Sequence, residues 1–172
     1  AYPCFVASGT CGNMGHHAAS ASKIIAKNEV VFVEIAASVH RYHAARMHTF
    51  FIGDCPVWFL TLKRMILNAL EAGTRSARVG ASGKDLDRVM RSQFDDHFGR
   101  YIVQRTGYAI GLGFPTDWSE HAFVDASSEF VLKKNIVLHL IPWVQIPGVG
   151  AIGFSDIVCV GDECGHSLFA NT

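Results

Sequence analysis

The most informative stretch of the sequence is Arg105-Thr-Gly-Tyr-Ala-Ile-Gly-Leu-Gly-Phe-Pro-Thr-Asp-Trp-Ser-Glu120. Its glycines allow the backbone to approach a ligand closely, while Tyr108, Asp117 and Glu120 offer polar groups. The glycines do not follow the GxxxxGKS/T spacing of a phosphate-binding loop, and they do not precede a clear helix. From the residues alone, the stretch is a glycine-rich strand and turn that could face a ligand.

Two helices and a pair of strands are predicted before this stretch. The β-branched and aromatic residues at 30–35 are typical of a mostly buried strand, and residues 47–52 are predicted to pair with it. Apolar residues recur at three- and four-residue spacing from 56 to about 72, which predicts an amphipathic helix that stops near Gly73. A second helix is predicted from the Ser82 region to Gly99.

Strands are predicted again after Gly99. Apolar runs at 101–103, 107–115, 135–141 and 152–160 are separated by glycine and proline turns. Strands that surround two helices, rather than alternating with them, favour an α+β domain. We therefore expect a curved, mostly antiparallel sheet covered on one side by helices, with residues 1–172 in a single domain.

The composition favours a globular protein that acts on a small molecule or on another protein. The 172 residues carry 15 Lys and Arg against 15 Asp and Glu, and 49% of them are hydrophobic. A chain without excess positive charge lacks the field that attracts phosphates, which argues against nucleic acid or a membrane surface as a partner. The apolar run at 136–154 is interrupted by His139, Pro142 and Pro147, so we expect no membrane span.

Five cysteines, an odd number, occur without CxxC spacing: Cys4, Cys11, Cys55, Cys159 and Cys164. We expect reduced thiols and therefore a cytoplasmic protein. The sequence begins without an initiator Met or a signal-type segment, and we expect it to be a fragment of a longer protein.

Two parts of the opening stretch, Gly107-Tyr-Ala-Ile-Gly111 and Phe114-Pro-Thr-Asp-Trp-Ser-Glu120, resemble the signature of ectoine hydrolases. These enzymes are a branch of the pita-bread superfamily, which includes creatinase, proline dipeptidase and methionine aminopeptidase. Other segments that resemble the superfamily are Phe5-Val-Ala-Ser-Gly9 with His16, residues 30–34 with Arg41-Tyr-His43 and Thr49-Phe50, Leu138-His-Leu-Ile-Pro142, and Ser155-Asp-Ile-Val158. The resemblance implies a pita-bread catalytic domain, truncated at its N-terminus, that acts as a homodimer.

The resemblance also bears on metal binding. Metallopeptidases of the superfamily hold two divalent ions with two Asp, one His and two Glu, and at the matching positions we find Glu34, Ala45, Tyr108, His139 and Phe154. One carboxylate and one imidazole cannot hold two ions of this kind, which need several oxygen ligands. We therefore expect no metal and no other cofactor.

Six residues are predicted to form the active site. The resemblance implies His16 as a general acid or base, and it favours His139 as a second catalytic residue. Glu34 is predicted as well, because a carboxylate within an apolar strand is costly to bury without a partner. It would either attack a ring carbon as a nucleophile or anchor a cationic amidine. The residues predicted to bind the substrate are Tyr108, Glu120 and Trp118.

Strand alternation predicts that His16, Glu34, Tyr108 and His139 project from the concave side of one sheet. These residue types support hydrolysis of a C–N bond without a metal, in which one group assists attack on carbon and another protonates the departing nitrogen. The resemblance implies that the bond lies in a small cyclic amidine or guanidino compound, as in ectoine. The alternatives are a proline-dipeptidase-like metallopeptidase and a catalytically inactive pita-bread module that binds a peptide or protein.

Overall fold

A computed structural model describes residues 4–14, 19–114 and 117–169 of the chain. Within these ranges the backbone forms ten strands, three α-helices and one 3-10 helix. In chain order they are β1 (Phe5–Ser8), the 3-10 helix (Gly9–Met14), β2 (Val30–Val39), β3 (Tyr42–Phe51), α1 (Val57–Ser76), α2 (Gly83–Arg91), α3 (Asp96–Gly99), β4 (Gly107–Ile110), β5 (Ser119–Val124), β6 (Val137–Leu140), β7 (Trp143–Ile146), β8 (Gly150–Gly153), β9 (Asp156–Cys159) and β10 (His166–Ser167).

The strands described belong to three antiparallel sheets. The hairpin sheet has the order β1-β2-β3, the five-stranded sheet has the order β10-β9-β6-β4-β5, and β7 pairs with β8. The hairpin sheet and the five-stranded sheet meet where Tyr42 forms a bridge with Leu112 and the backbone N–H of His43 donates to the carbonyl of Gly111 at 2.9 Å. The α+β prediction is confirmed, although its single curved sheet is divided.

Two buried apolar layers hold these sheets in place. In the first layer, the apolar faces of α1 and α2, with Leu62, Ile66 and Met90, pack on Leu138 and Leu140 of β6. In the second layer, side chains of the hairpin sheet meet those of the other two sheets, and its largest members are Phe32, Met47, Tyr108, Trp118 and Trp143. Because successive residues of a strand point to opposite faces, one face of β6 packs on the helices in the first layer. The faces of the sheets that point away from the helices meet in the second layer.

Gly73 does not end α1, as the sequence predicted, because this helix continues to Ser76. A Cβ at Gly73 would lie 2.8 Å from Sδ of Met90 and 3.1 Å from Cδ1 of Leu140. The glycine therefore allows α1 to approach α2 and β6 closely, and this packing requirement explains it better than a helix end does.

The second predicted helix is divided into two. Ser82 caps α2 by accepting a hydrogen bond from the backbone N–H of Asp85 at 3.1 Å, which confirms the predicted start. Asp95 then caps α3, since its carboxylate accepts a hydrogen bond from the N–H of Phe98 at 2.8 Å. The apolar spacing continues from 86 to 98, but the Asp95 cap begins a new helix within it, so residues 92–95 separate α2 from α3.

The later strands also differ from the prediction. Residues 101–103 form a turn and loop, and residues 152–160 contribute to two strands, β8 and β9, in different sheets. Strands β5 and β7 were not predicted. The five cysteines all lie within the described ranges, and none of them is paired with another. Among the residues described, no helix has the length and apolar character needed to cross a bilayer.

Candidate active site

A cavity of about 320 Å³ lies where the inward faces of the sheets converge. Its wall combines aromatic and apolar side chains with a few polar ones, namely Phe5, Phe32, Glu34, Met47, Gln104, Arg105, Tyr108, Asp117, Trp118, Ser119, Ile141 and Trp143. The volume is at the lower end of the range of roughly 300–1,000 Å³ that is usual for ligand sites. The cavity therefore suits a small molecule held by a few polar groups between apolar walls.

Glu34 contributes the carboxylate of the hairpin sheet to this cavity. It occupies β2 on the same face as Phe32, and only 2% of its surface is exposed. Its neighbours Val33 and Ile35 point to the opposite face of the strand. The prediction that Glu34 faces a cavity rather than the helix layer is thus confirmed, because the second apolar layer contains its neighbours on the same face.

Tyr108 of β4 lines the cavity from the five-stranded sheet and belongs to a buried hydrogen-bond chain that begins at Trp118. The indole N–H of Trp118 donates to the Tyr108 hydroxyl at 2.6 Å, and that hydroxyl lies 2.8 Å from Nδ1 of His139. Nε2 of His139 lies 2.8 Å from the hydroxyl of Ser155, which accepts a hydrogen bond from the backbone N–H of Met47 at 2.7 Å. The chain links the cavity wall to the backbone of the hairpin sheet.

Two proton arrangements satisfy this hydrogen-bond chain, because an indole N–H and a backbone N–H can only donate. In the first, Tyr108 donates to His139 and His139 donates to Ser155. In the second, Ser155 donates to Nε2 and Nδ1–H donates to Tyr108, which leaves the phenolic proton directed elsewhere. The second arrangement makes the Tyr108 proton available to a ligand in the cavity.

Burial determines the charge state of both central groups. Desolvation raises the pKa of Tyr108 and the negative charge of Glu34 raises it further, against the opposing effect of the Trp118 hydrogen bond. Desolvation lowers the pKa of His139 from 6.5 to about 3. Near neutral pH, the cavity therefore presents a protonated phenol supported by a neutral imidazole.

His139 does not reach the cavity, although the sequence predicted it as a catalytic residue. It is fully buried, and β4 pairs with β6 so that Tyr108 lies directly beside it. The two rings are 5.2 Å apart and nearly perpendicular, so the phenol separates the imidazole from the cavity. Ile141, two residues further along the chain, lines the cavity instead. The structure therefore assigns His139 a place behind Tyr108.

The other predicted residues have mixed outcomes. Trp118 lines the cavity and holds Tyr108, whereas Glu120 is exposed on β5. Ser119 contributes to the wall, and strand alternation turns the next residue, Glu120, outward. His16 lies outside the described residues. The expectation of one shared sheet is wrong, because Glu34 belongs to the hairpin sheet and Tyr108 to the five-stranded sheet.

Arg105 and Asp117 were not among the predicted site residues, yet both line the cavity. The guanidinium of Arg105 lies 4.3 Å from the centre of the Phe123 ring and 5.6 Å from that of Tyr108. Burial raises the pKa of Asp117, but hydrogen bonds from the N–H and hydroxyl of Ser119, helped by the charge of Arg105, lower it overall. Arg105 begins the stretch quoted at the start and Asp117 lies within it, so their place in that stretch was the available signal.

A buried clamp fixes the backbone next to Arg105. The hydroxyl of Thr106 donates to Asp87 of α2 at 2.7 Å, and Asp87 accepts a second hydrogen bond from Arg91 at 2.8 Å. Arg91 also donates to the carbonyls of Ile102 and Gln104 at 3.2 and 2.6 Å. The loop that carries this part of the cavity wall is therefore tied to α2.

The described residues do not provide the ligand set of a two-metal site. Among them, no group of three or more His, Cys, Asp or Glu side chains is placed to hold a metal ion. Ala45 is buried in the second apolar layer and has no donor atom, and Phe154 lines a separate groove beside Lys63. This donor set does not fit two hard divalent ions, which require several oxygen ligands.

Comparison with known proteins identifies the fold and the family. Residues 1–162 match metallopeptidase family M24. The chain is 30% identical over 122 residues to the ectoine hydrolase of Halomonas elongata, covering 69% of this chain and 31% of that enzyme. It is 25% identical over 164 residues to the Xaa-Pro dipeptidase of Pyrococcus furiosus, covering 95% of this chain and 46% of that enzyme.

The solved structure of prolidase from Pyrococcus furiosus superimposes with a TM-score of 0.90 at 23% identity, covering 99% of this chain and 50% of that one. The predicted pita-bread fold is thereby confirmed. The chain spans between about a third and a half of the length of these two curated relatives. On the match over nearly its whole length, the chain belongs to metallopeptidase family M24.

Proposed function

We propose that the cavity hydrolyses a C–N bond in a small cyclic amidine or guanidino compound, without a metal, as an ectoine hydrolase would. The observation that carries this proposal is a cavity with the Glu34 carboxylate on one wall and the protonated Tyr108 hydroxyl on another, between aromatic side chains. A carboxylate balances an amidinium charge, and aromatic faces attract cations. The identity to the ectoine hydrolase of Halomonas elongata supports the same reaction class.

Each residue has a distinct role in this proposal. Water adds to the amidinium carbon, forming a C–O bond, and passes a proton to His16. Glu34 holds the amidinium in place. The bond from that carbon to one ring nitrogen then breaks, the electron pair stays on the nitrogen, and a proton donated by Tyr108 completes the amine. The hydroxyl group added to that carbon loses its proton to water as the amide carbonyl forms, and the Tyr108 phenolate regains a proton from water while His16 releases the one it took. His139, neutral throughout, orients the phenol.

The proposal also extends to the setting of the protein. Five free thiols are typical of a reducing compartment, so we propose a cytoplasmic location. We propose a homodimer on the basis of the resemblance described above. Size-exclusion chromatography with light scattering on the full-length protein that contains residues 1–172 tests the oligomeric state. A monomeric mass would contradict the proposed homodimer.

A second candidate function is hydrolysis of Xaa-Pro dipeptides with a metal. It is favoured by the Xaa-Pro dipeptidase of Pyrococcus furiosus, whose similarity covers more of this chain than that of the ectoine hydrolase. The donor set of the described residues argues against it, since Glu34 lacks the further carboxylates that such a site requires.

Parallel assays with the full-length chain separate the candidates. Ectoine is incubated with enzyme in the presence of a chelator, and acetylated diaminobutyrate is followed by NMR; Ala-Pro is assayed with added Mn²⁺. We expect ring opening that the chelator leaves unchanged and no dipeptide cleavage. Dipeptide cleavage that depends on Mn²⁺ would replace the proposal by the second candidate. Absence of both activities would favour an inactive binding module.

A further inference from the structure

Arg105 lies at the cavity wall, where its charge acts on the carboxylates of Asp117 and Asp125 without forming a described ion pair with either. Its guanidinium stacks on Phe123 at 4.3 Å. Across residues 4–14, 19–114 and 117–169, no hydrogen bond or ion pair involves this guanidinium, and it is only partly buried. Stacking orients an arginine while leaving its N–H groups, which lie in the plane of the guanidinium, available to an anion.

The nearby carboxylate of Asp117 does not occupy Arg105. Asp117 accepts hydrogen bonds at 2.8 and 3.0 Å from the backbone N–H and the hydroxyl of Ser119, which hold its carboxylate within its own turn. The arginine influences Asp117 through its charge, but the two form no ion pair. An incoming carboxylate therefore meets available donors at Arg105.

The position of Arg105 is fixed by its neighbours on both sides. Thr106 is fully buried, and its hydroxyl and backbone groups are bonded to Asp87, Val124 and Ile141. The carbonyl of Gln104 accepts a hydrogen bond from Arg91 at 2.6 Å. A side chain on a backbone held in this way can discriminate between ligands, because little freedom is lost when it binds.

The cavity therefore carries opposite charges on two walls. Glu34 lies on the hairpin sheet, Arg105 lies just before β4 of the five-stranded sheet, and the Tyr108 hydroxyl is within electrostatic reach of both. A compact ligand with a cation and a carboxylate close together would match both walls.

We propose that Arg105 determines substrate specificity by binding a carboxylate, so that the enzyme selects small zwitterions in which an amidinium and a carboxylate share one ring. This inference rests on the proposed function, since it uses the same cavity and places the amidinium at Glu34. It adds the feature that separates such zwitterions from uncharged or purely cationic amidines.

The test compares two ligands that differ only at the carboxyl group, ectoine and its carboxamide. Binding is measured by calorimetry and kcat/KM by NMR on the full-length chain, for the parent, Arg105→Gln, Arg105→Lys and the control Arg64→Gln, which removes the same charge at an exposed position of α1. We expect the parent to prefer ectoine by roughly 10- to 100-fold, the scale of a charge-assisted contact. Arg105→Gln should lose that preference by weakening ectoine alone, and Arg64→Gln should keep it.

The other outcomes are distinct. If the parent and Arg105→Gln hydrolyse ectoine with the same preference over the carboxamide, the role of Arg105 is wrong and the proposed function stands. If the parent neither binds nor hydrolyses ectoine, both fail together. Should Arg105→Gln fail to fold by circular dichroism, Arg105→Lys decides the matter: it keeps the charge but cannot form a bidentate contact, and we expect a preference reduced about fivefold or more. A preference equal to that of the parent would overturn the inference.

Discussion

The hydroxyl of Tyr108 and Nδ1 of His139 lie 2.8 Å apart, and this contact joins the cavity wall to a histidine with no exposed surface. The phenol would contact substrate, and the imidazole would act on substrate only through the phenol. His139 is therefore a positioning residue in our proposal. This division of roles leads to different expectations for substitutions at the two positions.

Tyr108→Phe removes the hydroxyl and keeps the ring. We expect kcat with ectoine to fall by a factor of about 100 or more, the scale for loss of a proton donor. The buried indole N–H of Trp118 also loses its acceptor, which should lower the free energy of unfolding by about 1–3 kcal/mol. Steady-state kinetics and urea denaturation measure the two effects. Tyr101→Phe, away from the cavity beside His97, is the control, and equal effects of both substitutions would refute the assignment.

Glu34→Gln keeps the volume of the side chain and removes its charge. We expect turnover of ectoine to fall by a factor of about 100 or more while the fold is retained, because the amidinium loses its counterion. Kinetics and circular dichroism are measured together, with Glu163→Gln at an exposed position as the matched control. Turnover within about threefold of the parent would remove Glu34 from the mechanism, and an unfolded variant would show a structural role.

His139 gives the stability of the protein a specific pH dependence. In the folded chain burial lowers the pKa of His139 to about 3, so it binds a proton only below that pH, whereas in the unfolded chain its pKa is 6.5. Between these values the unfolded state holds the extra proton, so the free energy of unfolding falls by about 1.4 kcal/mol for each pH unit of acidification. Above 6.5 neither state binds a proton at this residue, and the contribution is constant.

His139→Gln removes this titration and keeps a polar side chain. Urea denaturation at pH 7 and about pH 5 should show a loss on acidification that is smaller in the variant than in the parent by about 2 kcal/mol. The exposed His166→Gln is the control and is expected to follow the parent. Parallel curves for the parent and His139→Gln would show that the histidine is not kept neutral by burial.

Asp87 tests the clamp that holds the loop before β4. Asp87→Ala removes the buried carboxylate that accepts from Arg91 and from the hydroxyl of Thr106, and we expect it to lower the free energy of unfolding by about 2–4 kcal/mol. Asp162→Ala breaks an exposed ion pair with Lys134 and should change it by less than about 1 kcal/mol. Urea denaturation compares the two. A similar small effect of both would show that the clamp does not hold the loop.

Local patterns in the sequence were sufficient for part of the fold. The β2–β3 hairpin and the start of α2 depend on neighbouring residues, so the run of β-branched and aromatic residues at 30–35 and the polar region at Ser82 were enough to predict them. The distribution of strands among sheets depends on distant pairing. Strands β8 and β9 are adjacent in the chain, yet β8 pairs with β7 and β9 with β6. Nothing in residues 152–160 distinguishes these partners.

The candidate site shows the same limit. An isolated carboxylate in an apolar strand predicted that Glu34 faces a cavity, which the structure confirms. Alternation also gives the correct face for His139, but it carries no information on depth within that face. The depth follows from the register of β4 on β6, which places Tyr108 beside the histidine and over it. Arg105 escaped notice because its importance depends on the clamp from α2.

Because residues of three sheets line the cavity, its width depends on how far apart those sheets are held. Phe32 of β2 and Trp143 of β7 touch across the second apolar layer, with ring centres 6.1 Å apart, and both border the cavity. Their bulk holds the hairpin sheet and the β7–β8 sheet apart at one side of the cavity. Substitutions that change the size of these two side chains would alter which ring sizes fit the cavity while leaving every charged group in place. Exchanges between hydrophobic residues alone would then be enough to change the substrate preference during evolution.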